Sequence, residues 1–127
     1  MPVKSYRDLV VWQKAIGLVE ETYRITTNFP KSEEFGVKAQ MRSAAVSISS
    51  NIAEGQARNH SKEFVQFLHS ALGSLSELGT QIDVAERLTI HPSLQVQATR
   101  QQCFEVGKML HGLANPLHPH GQLVAGY

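Results

Sequence analysis

The sequence predicts an all-α chain: an antiparallel, up-down four-helix bundle that assembles with copies of itself. Three observations carry that expectation. Apolar residues recur every three or four positions over four long stretches, and no strand-like alternation competes. The punctuation between those stretches is short, which makes consecutive helices antiparallel neighbours. Finally, the run Gln40–Gly55 reads as a helix, yet among its alanines and serines only Arg42 and Glu54 are charged. A surface helix normally has a charged outer face. One without it belongs inside an assembly.

At 127 residues the chain is expected to form one domain, residues 1–115, followed by an irregular tail, 116–127. The first helix, about 6–27, starts near Ser5, where Ser5-Tyr-Arg-Asp8 fits a capping box. It stops before Asn28-Phe-Pro30. The second, about 33–57, opens at Ser32 and places Glu33 and Glu34 in a first turn that favours negative charge. Asn59-His60-Ser61 forms the next turn, and Ser61 is expected to cap the third helix, about 61–88. His91-Pro92 starts the fourth, about 92–114, because proline suits a first helical turn. Pro116, Pro119, Gly121 and Gly126 deprive the tail of regular structure. Gly17, Gly73, Gly79 and Gly107 fall inside helices, where each costs about 1 kcal/mol against alanine. They point to close helix contacts.

The first helix carries two apolar stripes. Leu9, Trp12, Ile16, Val19 and Tyr23 form one; Val11, Ala15, Leu18, Thr22 and Ile25 form the other. At about 100° per residue, the second lies more than a third of a turn from the first. One seam closes the bundle and the other needs a partner, unless the helix sits deep between two neighbours of its own chain. The expected oligomer interface is Val11, Ala15, Leu18 and Ile25, since an exposed apolar stripe marks an interaction surface.

On the second helix an uncharged polar stripe, Gln40, Ser43, Ser47, Ser50 and Asn51, runs to Glu54 beside the apolar one. The third helix has a matching stripe, Ser70, Ser74, Glu77 and Gln81. Pairing the two helices about residue 59 puts Ser47 opposite Ala71, Ala44 near Ser74 and Gln40 near Glu77. The resulting expectation is a buried polar contact of Gln40, Ser43, Ser47, Asn51, Glu54, Ser70, Ser74 and Glu77, its groups satisfying one another. A carboxylate buried there needs a partner.

Charge and composition narrow the functional classes. Twelve basic against eleven acidic residues give no polyelectrolyte signal. The distribution is uneven, however: residues 1–62 hold nine basic and six acidic side chains, residues 63–127 three and five. An anion-binding surface therefore belongs to the first half. The candidates are Lys14, Lys38, Arg42, Arg58 and Lys62, and a ring would multiply their field. Cys103 is the only cysteine, which fits a reducing compartment. The opening Met1-Pro-Val-Lys-Ser5 lacks a signal peptide's apolar run. No apolar stretch reaches the roughly 18 residues of a bilayer span. A cytoplasmic protein without membrane contact is expected.

No catalytic residue, metal site or cofactor motif emerges. There is no phosphate-binding glycine loop and no CxxC or HExxH cluster. Cys103, among apolar neighbours on the fourth helix, reads as a small buried hydrophobe. His118 and His120 in the tail read as solvated. The serines have no neighbouring base. Arg87 and His91, the nearest approach to a helical ribonuclease pair, are better explained as a helix end.

Several stretches resemble the family of small four-helix bundle proteins named after the 23S rRNA intervening-sequence protein. They are Tyr6-Arg-Asp-Leu-Val-Val-Trp-Gln-Lys-Ala15, Phe29-Pro-Lys-Ser-Glu-Glu-Phe-Gly36, Gln40-Met-Arg42, Ser47-Ile-Ser-Ser-Asn-Ile-Ala-Glu-Gly55, Phe64-Val-Gln-Phe-Leu68, Ser70-Ala-Leu-Gly-Ser74 and Glu77-Leu78. The resemblance implies an antiparallel bundle in a ring-shaped homopentamer with no established enzymatic activity. A similar bundle is the accessory variability protein of diversity-generating retroelements, which contacts the reverse transcriptase. The functional expectation is a non-enzymatic, homo-oligomeric scaffold that holds RNA or a ribonucleoprotein or reverse-transcriptase partner. The rival is a protein-only adaptor. Salt-dependent RNA binding separates the two.

Overall fold

Ser5 and Asp8 decide where the chain begins to coil. Ser5 Oγ accepts the Arg7 N–H at 2.9 Å and Asp8 Oδ2 accepts the Ser5 N–H at 3.2 Å, the expected reciprocal cap. The cap closes one 3₁₀ turn, Tyr6–Asp8; Leu9 is then extended, and α1 runs Val10–Thr26. The computed structural model describes residues 5–92 and 94–115. The expected irregular tail, 116–127, with His118 and His120, lies outside the described residues.

Each later helix starts where a side chain or a backbone twist lets it. Pro30 leads into a 3₁₀ turn, Lys31–Glu33, and α2 (Val37–Ala57) begins only after Gly36. Glu33 still serves that N-terminus from outside, its Oε1 accepting the Val37 N–H at 3.4 Å. Asn59, at φ 54°, turns the chain after α2, a conformation asparagine tolerates better than most residues. α3 is Ser61–Arg87, preceded by an extended His60. Ser61 is thus the first helical residue and not the cap. Thr89, at φ 51°, ends the next turn. α4 is Gln97–Ala114, so Pro92 does not open it. The segment between them instead lays Val96 into the core, where it is buried.

Cross-helix pairs show the antiparallel order. Ser47 meets Ser74 at 2.8 Å while Gly55 meets Phe67, so α2 and α3 run oppositely. Arg100 of α4 reaches Asp83 at 2.6 Å and Glu86 at 2.7 Å, while Gly107 faces Leu75. α1 lies between α2 and α4, and α2 against α3 is the most extensive pairing. Leu18, Met41, Ile48, Ile52, Leu68, Leu78, Ile82 and Leu110 fill the centre. The described residues contain helices and turns but no strand.

Two sequence expectations reverse here. Val11, Ala15 and Leu18 are not an oligomer interface: they are 3%, 0% and 0% exposed inside their own bundle. Ile25 packs half-buried on the edge of the same core. The stripe left outside is the other one. Leu9, Trp12 and Val19 cover the rim of the core, Ile16 stands off it and Tyr23 is exposed. Small inner residues let α1 seat deeply between two neighbours, so the bulkier stripe remains outside.

The buried polar contact is also smaller than expected. Ser47 and Ser74 share a hydrogen bond, and Asn51 Nδ2 donates to Ser47 O at 2.8 Å and to Ser47 Oγ at 3.1 Å. Gln40, Ser43, Glu54, Ser70 and Glu77 are exposed. Glu54 pairs along its own helix with Arg58 at 3.2 Å. The register differs from a pairing about residue 59 because Phe67 seats on Gly55.

That seat is the closest glycine approach. A Cβ on Gly55 would lie 2.6 Å from Phe67 Cβ and 3.1 Å from Phe64 Cδ1. Gly107 is moderately close, at 3.2 Å from Leu75 Cδ2, whereas Gly17, Gly73 and Gly79 have open space and make no such contact. Gly55→Ala should therefore destabilise the protein by about 1–3 kcal/mol through overpacking, despite alanine's better helix propensity. Gly79→Ala should stabilise it by up to about 1 kcal/mol. Urea unfolding of the two variants checks the opposite signs.

Candidate nucleic-acid interface

The last carbonyls of any α-helix lack partners within the helix, and at the end of α1 a side chain of α2 supplies one. Arg42 Nε donates to Thr26 Oγ1 at 2.8 Å, and its Nη2 donates to the Tyr23 carbonyl at 3.2 Å. The guanidinium also lies 4.2 Å from the centroid of the Tyr23 ring. Thr26, fully buried, donates its own hydroxyl hydrogen bond to Thr22 O at 2.8 Å. A cation at a helix C-terminus is favoured by the macrodipole. Ring, hydroxyl and carbonyl thus hold Arg42 without any carboxylate among the described residues.

Lys38 stands one turn earlier on α2, so it shares a face with Arg42. Its Nζ bonds Glu34 Oε1 at 3.0 Å. The two cations line an open groove of about 430 Å³ with Tyr23, Glu34, Ala39, Ser43 and Val46. Of the five N–H groups of a guanidinium, Arg42 uses two, leaving three. Of the three on an ammonium, Lys38 uses one, leaving two. The groove is rich in donors, and Glu34 offsets one of its two positive charges.

The other candidate cations stand elsewhere. Arg58 pairs with Glu54 and lies 5.3 Å over the Phe67 ring. It is twenty residues from Lys38, about 30 Å along the helix. Lys62 is exposed at the start of α3 and Lys14 on α1. Neither lines the groove of Lys38 and Arg42. One chain therefore presents two basic ends and brings together only Lys38 and Arg42. Tyr23 and Thr26, which hold Arg42, were not candidates in the sequence, since contacts between helices leave no local trace. The Glu34–Lys38 spacing was legible as an i, i+4 pair.

A second groove, about 310 Å³, runs between α3 and α4 and is lined in part by His69, Phe104, Cys103 and His111. Burial pushes the Cys103 thiol up to about 11, the condition of an inert cysteine. Burial, and then His69, holds His111 below the ordinary histidine range. Among the described residues no three metal-ligating side chains converge. Arg87 ends α3 and His91 lies in the turn beyond it.

Comparison with known proteins agrees with this bundle. The family model of the 23S rRNA-intervening sequence protein matches residues 7–112. The chain belongs to that family. Among solved structures, it is similar to a protein of unknown function from the S23 ribosomal protein family of Bacteroides thetaiotaomicron, determined at 1.70 Å. The TM-score is 0.72 at 21% identity, over 83% of this chain and 98% of the other. That likeness shows the fold alone. No curated protein matches the sequence. Among the described residues, no helix is long and apolar enough to cross a membrane.

Arg42→Ala should lower stability by about 1–2 kcal/mol, because buried Thr26 and the end of α1 lose a charged donor. Arg42→Lys should recover only part of that, an ammonium lacking the two-point fork. Urea midpoints check both. Cys103 should react with a disulfide reagent at pH 8 about a hundredfold more slowly in the folded chain than in urea, from its thiolate fraction. The unfolded chain releases that proton first. Stability should therefore decline as pH rises from the ordinary thiol range through about 11.

Proposed function

We propose that this member of the family is a non-enzymatic, cytoplasmic, homo-oligomeric scaffold that holds RNA, alone or within a ribonucleoprotein or reverse-transcriptase complex. The observation that carries the reading is the Lys38–Arg42 pair. Arg42 is immobilised by neutral partners, keeps its charge and faces an open groove beside a second cation. A guanidinium so placed matches the oxygens of a phosphate.

Self-association completes the scaffold, as a ring with five copies favoured. Two apolar surfaces on α1 support it: the half-buried stripe of Trp12, Ile16 and Val19 on one side, and on another Val10 beside Leu113 of α4, 57% and 39% exposed. Exposed apolar surface of that kind favours burial against another copy. Closing the ring repeats the basic groove around it, which raises the local field beyond what a chain of net charge +1 provides.

Fluorescence anisotropy with labelled RNA should show binding that weakens steeply between 50 and 200 mM salt, as counterion release requires. Absence of binding at low salt would refute the RNA reading and favour the adaptor. Light scattering should give a multiple of 14.1 kDa, and Ile16→Glu should reduce it to the monomer. A wild-type mass near that of one chain would remove the oligomer from the proposal.

A further inference from the structure

We infer that the groove between the end of α1 and the start of α2 is a site for one unpaired nucleotide, its phosphate held by Arg42 and Lys38. The inference rests on the RNA reading above and names its substrate class. Three features of the groove point the same way.

The first is charge. Two cations less Glu34 leave one positive charge, which a single phosphodiester neutralises. Duplex binding draws on a row of phosphates, and this face offers one i, i+4 pair. The second is hydrogen bonding. Three N–H groups on Arg42 and two on Lys38 remain open, with the Ser43 hydroxyl on the same wall. Arg42 cannot swing away, since Thr26 and the Tyr23 carbonyl hold it. The donors are therefore oriented before the ligand arrives.

The third is the apolar part of the wall. Tyr23 and Val46 are 42% and 40% exposed beside the cations, and Ala39 lines the same groove. A bare phosphate or a carboxylate has no use for that surface, whereas an unstacked base does. In a duplex the base faces are already occupied by stacking. At about 430 Å³ the groove has the dimensions of a small-ligand site and room for a nucleotide.

The test is an amide NMR titration of the full chain with hexauridylate, inorganic phosphate, a twelve-base-pair RNA duplex and an acidic hexapeptide. Hexauridylate should shift the amides of Tyr23 and of residues 38–46 and bind at least tenfold more tightly than phosphate or the peptide. Lys38→Ala should weaken hexauridylate at least fivefold, and Lys38→Arg should restore it. Val46→Ser, an exposed change that leaves the cations intact, should weaken hexauridylate while leaving phosphate unchanged. Tighter binding of the duplex or the peptide would overturn the inference, as would wild-type affinity in both variants. Shifts confined to the Arg58 and Lys62 end would overturn the groove while leaving RNA binding intact. No binding of any RNA at low salt would overturn both.

Discussion

The contact of Gly55 with the Phe64 and Phe67 side chains sets the spacing of α2 and α3, and the rest of the bundle is positioned from it. A hydrogen in place of a methyl group lets Phe67 Cβ come within 2.6 Å of where a β-carbon would sit. No other residue type can occupy that position without parting the helices. Once Phe67 is seated there, the register brings Ser47 to Ser74 two turns away, and Asn51 bonds back onto Ser47. Ile48 and Ile52 are turned inward by the same rotation, and Lys38 and Arg42 lie toward α1. One close approach at the turn end thus decides what faces the groove at the far end.

Arg42 links that geometry to function because two demands on it coincide. The end of α1 needs donors, and a long, forked, permanently charged side chain supplies them across a helix gap. Thr22 and Thr26 contribute from inside, each hydroxyl bonding the carbonyl four residues earlier. Holding Arg42 this way restricts its rotamers, a cost already met by folding and not charged again to a ligand. Neutral partners leave its full charge available, unlike Arg58 and Arg100, whose carboxylates satisfy them.

Helix number, antiparallel order and the capping box of Ser5 and Asp8 were legible, because periodicity and local hydrogen bonding are written in neighbouring residues. The presence of two seams on α1 was legible too. Which of them faces inward was not. That depends on how deeply α1 sinks between α2 and α4, a matter of side-chain volume summed over three helices: Ala15 and Thr22 permit what Trp12 and Ile16 would block. The α2–α3 register differs by three residues from a pairing about the turn midpoint for a similar reason, since the Gly55 seat is the pivot. Pro92 looked like a helix start. Burying Val96 was worth more than an earlier first turn. Of the five candidate cations, the sequence contained the i, i+4 spacing of Lys38 and Arg42 but nothing of Tyr23 and Thr26.

The scarcity of charge on α2 now divides into two physical cases. Its inner face, Ala44, Ala45, Ile48 and Ile52, is covered by the bundle and needs no charge. Its outer face is exposed and uncharged over Ser43, Val46 and Ser50, between Arg42 and Glu54. Keeping charge off an exposed surface gains a lone chain nothing in solubility, but it lowers the cost of covering that surface, since neutral groups are cheaper to dehydrate than ions. The contrast lies at the join of α3 and α4, where Asp83, Glu86 and Arg100 form an open ion network. Covering those ions would cost far more. Low desolvation cost beside an oriented guanidinium held by neutral partners suits the binding face proposed for the α1–α2 side of the bundle.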